Sequence, residues 1–382
     1  MPSEVSGTCD PAFAAVRDVF ASSLAAGDDL GASVAVFVDG RPVVDLWGGL
    51  ADRKSGRAWE HDTACVTFSA TKAVTATAAL LLAERGAVDL DAPVAEWWPE
   101  FDTHRKASIT PTMLLTHTAG LPAFDRPISA EEAADFDVMT AQLAGQAPEW
   151  TPGTQHGYHA LTFGWLVGEI VRRHSRMSVG EFVRRELGAE LWVGVPASML
   201  DGLAHIAAAA SPAPEDPAVP RAADEPTVAA VLAAQRDPNS PMYRSTTNPA
   251  ASFNKPVLLT AGWPAAGLVC TARALADFYA RLADGAILQR GTVRDAVRER
   301  VRGPDRTLVF ESAFGMGYML PSQNMFVPLS ARTAFGHPGA SGALGLGDLE
   351  ARVAIGYVPN LSRPGAVDRR AYRLVDAVYS AL

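Results

Sequence analysis

Ser69 and Lys72, three residues apart, are the residues of this sequence whose types and spacing point most directly to chemistry. A serine hydroxyl is a poor nucleophile at neutral pH and needs an adjacent base. On a helix, residues i and i+3 lie on one face, so the amine of Lys72 can reach the hydroxyl of Ser69. The amine can act as a base only where burial or nearby cations lower its pKa. The pair therefore predicts acyl transfer through Ser69.

The Ser-x-x-Lys spacing alone is weak evidence, because a helix N-cap followed by a surface lysine gives the same pattern. The chain contains a second copy, formed by Ser252 and Lys255. Pro256 follows that copy and disfavours helical geometry at Lys255. We therefore assign the nucleophile to Ser69 rather than to Ser252.

The elements around Ser69 place it at the start of a helix. Residues 65–68 have the composition of a short strand, and residues 71–85 have a helical pattern that ends at Gly86. A serine between these two elements lies beside free backbone N–H groups, which can stabilise a developing oxyanion.

The remaining elements divide the chain into two kinds of segment. Strand patterns and terminal helices occur at both ends, with Asp39-Gly40 predicting a hairpin turn. A mainly helical stretch with an Ala/Pro-rich loop at 204–226 lies between them. The predicted fold is α+β, with an antiparallel sheet flanked by the N- and C-terminal helices and an inserted helical domain. The predicted boundaries are 1–85 with 265–382 for the α/β domain and 86–264 for the insertion. The predicted outer elements are a helix from Asp10-Pro11 to about 26, strands at 33–40, 41–49, 315–320, 343–349 and 351–360, and a helix at 368–382.

Composition narrows the range of partners. A net charge of −9 over 382 residues, without a run of basic residues, argues against nucleic acid. No apolar run is long enough to span a bilayer, and the first residues do not resemble a secretory signal, so we expect a cytoplasmic protein without a membrane partner. Three widely spaced cysteines predict neither disulfides nor a metal site. His156 and His159 lack a third ligand at a suitable spacing, so we expect no metal and no cofactor.

Further sequence blocks accompany Ser69 and Lys72, in an order that identifies a family. They are Leu114–Pro122 (LLTHTAGLP), Trp150-Thr151-Pro152-Gly153, Gly157-Tyr158-His159-Ala160 and His337-Pro338-Gly339-Ala340-Ser341-Gly342. In this order and spacing the chain resembles the class C β-lactamase-like superfamily over about residues 15–360. The esterase branch, the family VIII carboxylesterases, is the most similar, together with related acyltransferases. The resemblance implies a β-lactamase/transpeptidase-like fold.

The resemblance also implies roles for individual residues. Ser69 would be the acylated nucleophile, Lys72 its base and Tyr158 the group that carries the proton to the leaving group. The backbone N–H groups of Ser69 and Ala340 would form the oxyanion hole. His117 is expected to pack beneath the site. Substrate would contact a set of residues that line the pocket, namely His337, Gly339, Phe124, Asp125, Tyr243, Phe253 and Trp263, although ordinary packing would also account for the aromatic ones.

Two departures from the family pattern bear on the substrate. The Tyr-x-Asn of such a β-lactamase has become Tyr158-His159-Ala160, and its Lys-Thr-Gly has become His337-Pro338-Gly339. Both changes remove groups that would recognise an anionic antibiotic, so they favour a neutral ester. We expect a serine carboxylesterase for small to medium esters. The alternatives are an acyltransferase with the same site, a β-lactamase or D-alanyl-D-alanine peptidase, and a non-catalytic binding protein. The sequence 339–343 fails the GxSxG pattern, which argues against a Ser/His/Asp triad.

Overall fold

The central sheet is antiparallel and combines strands from both ends of the chain. The computed structural model describes residues 4–209, 226–250, 252–322, 325, 331–363 and 368–382. Within these ranges the sheet has the order β1-β3-β2-β13-β12-β11, with β4 beside β3. Its strands are β1 Val5–Cys9, β2 Gly31–Val38, β3 Arg41–Asp52, β4 Arg57–Ala58, β11 Ala334–Pro338, β12 Leu344–Asp348 and β13 Val353–Pro359. The predicted fold class is confirmed.

Shorter strands surround this sheet. A three-stranded sheet, in the order β5-β8-β6, leads into the helix that follows Ser69, while β9 pairs with β10 and β7 with β14. These strands are β5 Cys65–Val66, β6 Trp192–Val193, β7 Ala207–Ala208, β8 Leu268–Cys270, β9 Val301–Pro304, β10 Glu311–Phe314 and β14 Leu361–Ser362.

The hairpin β2–β3 turns at Asp39-Gly40, as predicted. Both residues have positive φ, 50° and 72°, which the tight turn between two twisted strands requires. Residues 31–37 of β2 are all buried, because helices cover both faces of the sheet. This explains the continuous apolar pattern of the strand, since a strand with one solvated face would alternate.

The helices form two layers around the sheet and a third group beside it. Helices α1 and α13 pack together, and α11 packs against β2, β12 and β13. Helix α2 contacts α6 and α7, which lie in the inserted segment. The helices are α1 Ala14–Ala25, α2 Thr71–Glu84, α3 Pro111–Leu115, α4 Ala130–Ala134, α5 Phe136–Gly145, α6 Thr162–Ser175, α7 Val179–Glu186, α8 Pro226–Arg236, α9 Pro241–Thr247, α10 Pro256–Ala261, α11 Ala272–Asp284, α12 Arg290–Ala296 and α13 Arg370–Ser380. The domain boundaries at 85/86 and 264/265 stay a prediction.

Helix α2 contacts both β11 of the central sheet and helices α6 and α7. Every residue from Thr71 to Leu82 is buried, so this helix is surrounded on all sides. A helix that is apolar all round occupies the interior of a large protein, which is where α2 lies.

The predicted strand at 315–320 is wrong. Strand β10 ends at Phe314, and the chain then turns, with the N–H of Gly315 donating to the carbonyl of Tyr318 at 2.9 Å. Gly317 has φ of 81°, which a strand residue would not adopt. Within the predicted strand, Met319 forms isolated bridges to Phe314 and Gly336. The alternating glycines gave a strand-like pattern but permit a turn instead.

The sequence also predicted a long loop at 204–226 and no membrane-spanning segment. Of the predicted loop at 204–226, residues 210–225 lie outside the described ranges. Among the helices that the structure describes, none has both the length and the apolar character needed to cross a bilayer.

Candidate active site

Ser69 lies in the turn that joins β5 to α2, two residues before the helix begins. The preceding residue, Phe68, has φ of 50° and forms an isolated parallel bridge with Gly267. A left-handed conformation at a bulky residue costs about 1–3 kcal/mol and persists only where the surroundings fix it. Thr71 provides that support, because its hydroxyl donates to the carbonyl of Phe68 and accepts from the N–H of Leu268 at 2.9 Å. The backbone just before Ser69 is thereby supported, and the Ser69 side chain is half-buried.

Lys72 lies on the same face of α2 as Ser69 and is fully buried. Its Nζ is 3.1 Å from Oγ of Ser69 and donates to the carbonyl of Ala265 at 3.0 Å. The same Nζ lies 4.8 Å from the centroid of the Tyr158 ring. Burial lowers the pKa of Lys72 well below its ordinary value, because the charged ammonium loses its hydration. The structure therefore favours a neutral amine beside the serine.

Tyr158 covers this pair from the opposite side. It is buried, and its hydroxyl lies 3.3 Å from Nε2 of His337. Burial raises the pKa of the phenol, while a hydrogen bond with Ser69 acts in the opposite direction. Tyr158 thus keeps its proton at neutral pH and lies within reach of both Ser69 and His337.

His337, on β11, completes the group and is uncharged. Its Nδ1 donates to the carbonyl of Pro338 at 2.7 Å, so the hydrogen bonds assign Nε2 as the acceptor for the Tyr158 hydroxyl. Burial, and secondarily the charge of Lys72, lowers the pKa of His337 to about 3. The ring acts as a neutral acceptor, whereas a lysine in this place would bring a positive charge.

The strip 157–159, which carries Tyr158, is fixed by His117 from below. The carbonyl of His117 accepts from the N–H of Gly157 at 3.1 Å, and its Nδ1 accepts from the N–H of His159 at 3.1 Å. The His117 ring lies under Tyr158, with 5.1 Å between the ring centroids. His117 therefore packs beneath the site, as the sequence led us to expect.

The histidine pair His156 and His159 is engaged in protein hydrogen bonds. His159 Nδ1 contacts the carbonyl of Gly157 at 2.6 Å, and its Nε2 accepts from the N–H of Leu121 at 3.0 Å. His156 Nε2 lies 3.0 Å from the hydroxyl of Ser312. Across the described ranges, no group of three or more metal-ligating side chains comes together.

The backbone donors expected for an oxyanion hole come from two segments in direct contact. A Cβ on Gly339, the residue after β11, would lie 2.1 Å from the carbonyl oxygen of Thr67, so only glycine permits this approach to the segment before Ser69. The turn after Gly339 is closed by its N–H donating to the carbonyl of Ala343 at 2.7 Å. Ala340 is exposed in this turn, directly after Gly339. Ser69 lies two residues after Thr67, on the other segment. The oxyanion-hole role of the Ser69 and Ala340 N–H groups stays a prediction.

The predicted pocket residues lie at different depths. Phe253 is buried and packs edge-to-face on Phe68, with 5.2 Å between ring centroids, so it lies next to the nucleophile segment. Trp263 packs behind Phe253 at 5.5 Å. Phe124 contacts Trp165 at 5.6 Å, further into the core.

The other two predicted pocket residues are not fully buried. Asp125 is exposed and accepts from the side chain of Gln142 at 2.8 Å, and Tyr243 is half-buried on α9. The structure thus brings His337, Gly339 and Phe253 to the Ser69 group. Contact with substrate stays a prediction for every one of the pocket residues.

The second Ser-x-x-Lys copy has a different geometry. Ser252 and Lys255 are both exposed, and Lys255 has extended backbone angles, φ −82° and ψ 126°, at the N-cap of α10. The two residues therefore do not share a helical face.

Asp305 is a group near the site that sequence reasoning missed. Its carboxylate is buried and accepts from the backbone N–H of Tyr158 at 3.0 Å. The contact joins residues far apart in the chain, and no motif surrounds Asp305, so no sequence signal could have identified it.

Comparison with known proteins agrees with this geometry. A family model described as Beta-lactamase matches residues 16–380. The Mycobacterium tuberculosis protein named Esterase/beta-lactamase LipL is 37% identical over 371 residues, which cover 93% of this chain and 83% of LipL. The crystal structure of a family VIII carboxylesterase superposes with a TM-score of 0.87 at 30% identity, covering 99% of this chain and all of that one (100%). A penicillin-binding protein homologue from Caulobacter crescentus has a TM-score of 0.84 at 33% identity, covering 99% and 100% of the two chains.

Proposed function

The chain belongs to the beta-lactamase family, and we propose that within it the protein is a carboxylesterase that forms an acyl-enzyme on Ser69. The observation that carries this proposal is the 3.1 Å separation between Oγ of Ser69 and Nζ of the fully buried Lys72. A buried neutral amine at that distance is the base that a serine nucleophile requires. The similarity to a family VIII carboxylesterase and to LipL supports the same activity.

In the acylation half-reaction, Oγ of Ser69 attacks the ester carbonyl and its proton passes to the neutral amine of Lys72. Lys72 Nζ donates one N–H to the carbonyl of Ala265, which leaves its lone pair free to face the serine. The N–H groups of Ser69 and Ala340 stabilise the oxyanion of the tetrahedral intermediate. The intermediate collapses when the bond to the alcohol breaks, and the Tyr158 phenol supplies the alcohol with a proton.

Deacylation follows the same route in reverse. The Lys72 ammonium returns a proton to Tyr158, which restores both groups to their neutral forms. Water then attacks the acyl-enzyme and gives up a proton to this pair, and Ser69 regains its proton as the carboxylic acid leaves. The hydrogen bond from the Tyr158 hydroxyl to Nε2 of His337 keeps the phenol oriented between the two half-reactions.

The charge around Ser69 favours an uncharged substrate. His337 has a pKa of about 3 and His159 one of about 4, both lowered mainly by burial, so neither ring is cationic at neutral pH. The buried Ala160 offers no amide at the position where a β-lactamase of this type would have asparagine. Pro338 likewise contributes no side-chain donor. These features support a neutral ester as substrate.

The test is Ser69→Ala with p-nitrophenyl butyrate as substrate. We expect turnover to fall to background, with labelling by a fluorophosphonate probe lost at the same time. Ser252→Ala is the matched control, because it removes the serine of the second Ser-x-x-Lys copy, and it should retain wild-type activity. Near-full turnover in Ser69→Ala would refute the proposal.

β-Lactam hydrolysis is the second candidate, because the name of LipL includes both activities. The absence of an amide at Ala160 and of a cation at His337 argues for a low efficiency. Nitrocefin turnover measured beside ester turnover decides the ranking, and nitrocefin kcat/KM equal to that for p-nitrophenyl butyrate would reverse it.

A further inference from the structure

Asp305 is a buried carboxylate whose bonding partners are neutral donors. Its Oδ1 accepts from the backbone N–H groups of Tyr158, Thr307 and Leu308, at 3.0, 2.8 and 2.9 Å. Its Oδ2 accepts from the hydroxyl of Ser312 at 2.7 Å. Since all four donors point at the carboxyl group, both of its oxygens act as acceptors.

The donors come from two segments that are distant in sequence. Thr307 and Leu308 belong to the connection between β9 and β10, whereas Tyr158 belongs to the strip that His117 supports. A further bond between the same segments runs from the N–H of Arg306 to the carbonyl of His156 at 3.2 Å. Asp305 therefore links the β9–β10 connection to Tyr158 by hydrogen bonds.

Three consecutive backbone amides of the strip are thus held from two sides. His117 accepts from those of Gly157 and His159, and Asp305 accepts from the one between them. A backbone held at three successive residues fixes the position and direction from which the Tyr158 side chain extends. Proton transfer depends steeply on such orientation.

Ser312 and His156 support the second oxygen of Asp305 through a chain of hydrogen bonds. The Ser312 hydroxyl donates to Oδ2 of Asp305, so Nε2 of His156, 3.0 Å from the Ser312 oxygen, is assigned as the donor to that oxygen. All three side chains are buried. The arrangement fixes both oxygens of the carboxylate, so the group has one orientation.

We propose that Asp305 is the positioning residue that orients Tyr158 for protonation of the departing alcohol. This inference rests on the proposed function, and it adds a residue that contacts neither substrate nor Ser69. Burial raises the pKa of Tyr158, the hydrogen bond with Ser69 lowers it, and the charge of Asp305 raises it by a smaller amount. The positioning role of Asp305 therefore rests on its hydrogen bonds and not on its charge.

The test compares two esters that share an acyl group and differ in the leaving alcohol. Nitrophenolate leaves p-nitrophenyl butyrate without needing a proton, whereas the alkoxide of ethyl butyrate must be protonated as it leaves. Because kcat/KM covers only the steps through acylation, the ratio of the two kcat/KM values reports on the proton donor. Tyr158→Phe should lower kcat/KM for ethyl butyrate far more than for the nitrophenyl ester.

We expect Asp305→Asn, which keeps the shape but replaces one accepting oxygen with a donating amide nitrogen, to show the same selective loss. The decrease should be about tenfold for ethyl butyrate and below about threefold for p-nitrophenyl butyrate. Asp305→Ala, which also removes the acceptor of the Tyr158 N–H, should give a larger selective decrease. If the alanine variant fails to fold, the selective decrease is tested with Asp305→Asn and with Ser312→Ala, which removes the donor to Oδ2 of Asp305.

Asp348→Asn is the matched control. Asp348 is another buried carboxylate, and it accepts from the backbone N–H groups of Glu350 and Ala351 and from the hydroxyls of Thr333 and Tyr379. Asp348→Asn should leave the ratio of the kcat/KM values for the two esters unchanged. Equal losses on both esters in the Asp305 variants, or the same ratio change in Asp348→Asn, would overturn the inference.

Failure of the proposed function gives a different result. In that case wild-type ester cleavage does not depend on Ser69, and Tyr158→Phe leaves the ratio unchanged. If Ser69→Ala is inactive and Tyr158→Phe shifts the ratio while Asp305→Asn does not, only the role of Asp305 is disproved.

Discussion

Nε2 of His337 lies 3.3 Å from the hydroxyl of Tyr158, while Nδ1 of the same ring contacts the carbonyl of Pro338 at 2.7 Å. The two contacts determine which nitrogen carries the proton, and they make the ring an acceptor for the phenol. The Tyr158 hydroxyl therefore has a fixed direction when it is not bonded to Ser69. The histidine orients the phenol that we propose as proton donor, without adding charge to the site.

Replacing the ring nitrogens of His337 tests this relationship. His337→Phe keeps an aromatic side chain and removes the acceptor, so we expect kcat to fall about tenfold on ethyl butyrate with little change in KM. Steady-state kinetics on the purified variant measure both constants. His174→Phe, in the last turn of α6, should leave kcat unchanged. A wild-type kcat in His337→Phe would show that the contact has no role in the reaction.

The pH dependence of kcat/KM should reflect Lys72 rather than a histidine. The active form carries a neutral amine, and the pKa of Lys72 lies well below its ordinary value, so activity is present above that pKa and is lost as the pH falls through it. His337 and His159, with pKa values of about 3 and about 4, stay neutral above pH ~5 and add no inflection near pH ~6.5. A pH–rate profile in mixed buffers measures this, and His337→Phe should have the same acid inflection as the wild type.

Lys72→Arg separates the charge of the side chain from its basicity. A guanidinium stays protonated at every accessible pH, so it cannot accept the proton of Ser69. We expect kcat/KM to fall at least about a thousandfold, within the range known for loss of a general base. Lys255→Arg makes the same exchange in the second Ser-x-x-Lys copy and should leave kcat/KM unchanged. Activity above a few per cent in Lys72→Arg would argue for another base.

Gly339→Ala tests the close approach of the two oxyanion segments. The new Cβ would collide with the carbonyl of Thr67 at 2.1 Å, so β11 must move away from Ser69 and the two N–H donors must separate. Loss of one such donor costs about a hundredfold in kcat, and we expect a decrease of that size. Gly291→Ala is the control, because its Cβ would meet no atom within 4 Å. Kinetics and thermal unfolding of both variants distinguish a local effect from loss of the fold.

Arg370 is predicted to be important for stability. Its guanidinium is buried and pairs with Asp29 at 2.6 Å, and it also donates to the carbonyl of Ser341 at 2.8 Å, beside the oxyanion turn. Arg370→Leu leaves Asp29 without its cation and should lower the free energy of unfolding by about 3–5 kcal/mol. Urea unfolding measures this change.

Arg373→Leu provides the comparison on the same helix. Arg373 is largely exposed and lies 3.3 Å from Asp28, so its loss should cost below about 1 kcal/mol. Equal effects of the two substitutions would contradict the importance assigned to burial.

Local patterns predicted much of the fold from the sequence. Asp39-Gly40 predicted the β2–β3 turn, and the helical pattern at 71–85 matches α2, Thr71–Glu84. These features depend on neighbouring residues, so they can be identified without knowledge of tertiary contacts. The strand pattern at 315–320 failed because glycines satisfy a strand and a turn equally well, and packing against α2 decided between them.

The candidate site was predictable to the extent that its residues belong to motifs. Ser69, Lys72, Tyr158 and His337 occur in recognisable blocks, and the structure brings these four side chains together. The left-handed conformation of Phe68 and the contact of Asp305 with the Tyr158 N–H depend on partners far away in the chain. No local pattern encodes such partners.

The pairing of β2 with β13 has a consequence for biosynthesis. Val38 lies opposite Val353, so the middle of the sheet joins residues roughly 300 positions apart, and such non-local contacts form late and slowly. During translation, β2 must wait with an unpaired apolar edge until β13 has left the ribosome. The group formed by Ser69, Lys72, Tyr158 and His337 is incomplete until then as well, because His337 lies far beyond Ser69 along the chain. A nascent chain therefore contains Ser69 long before the proposed catalytic group can assemble around it.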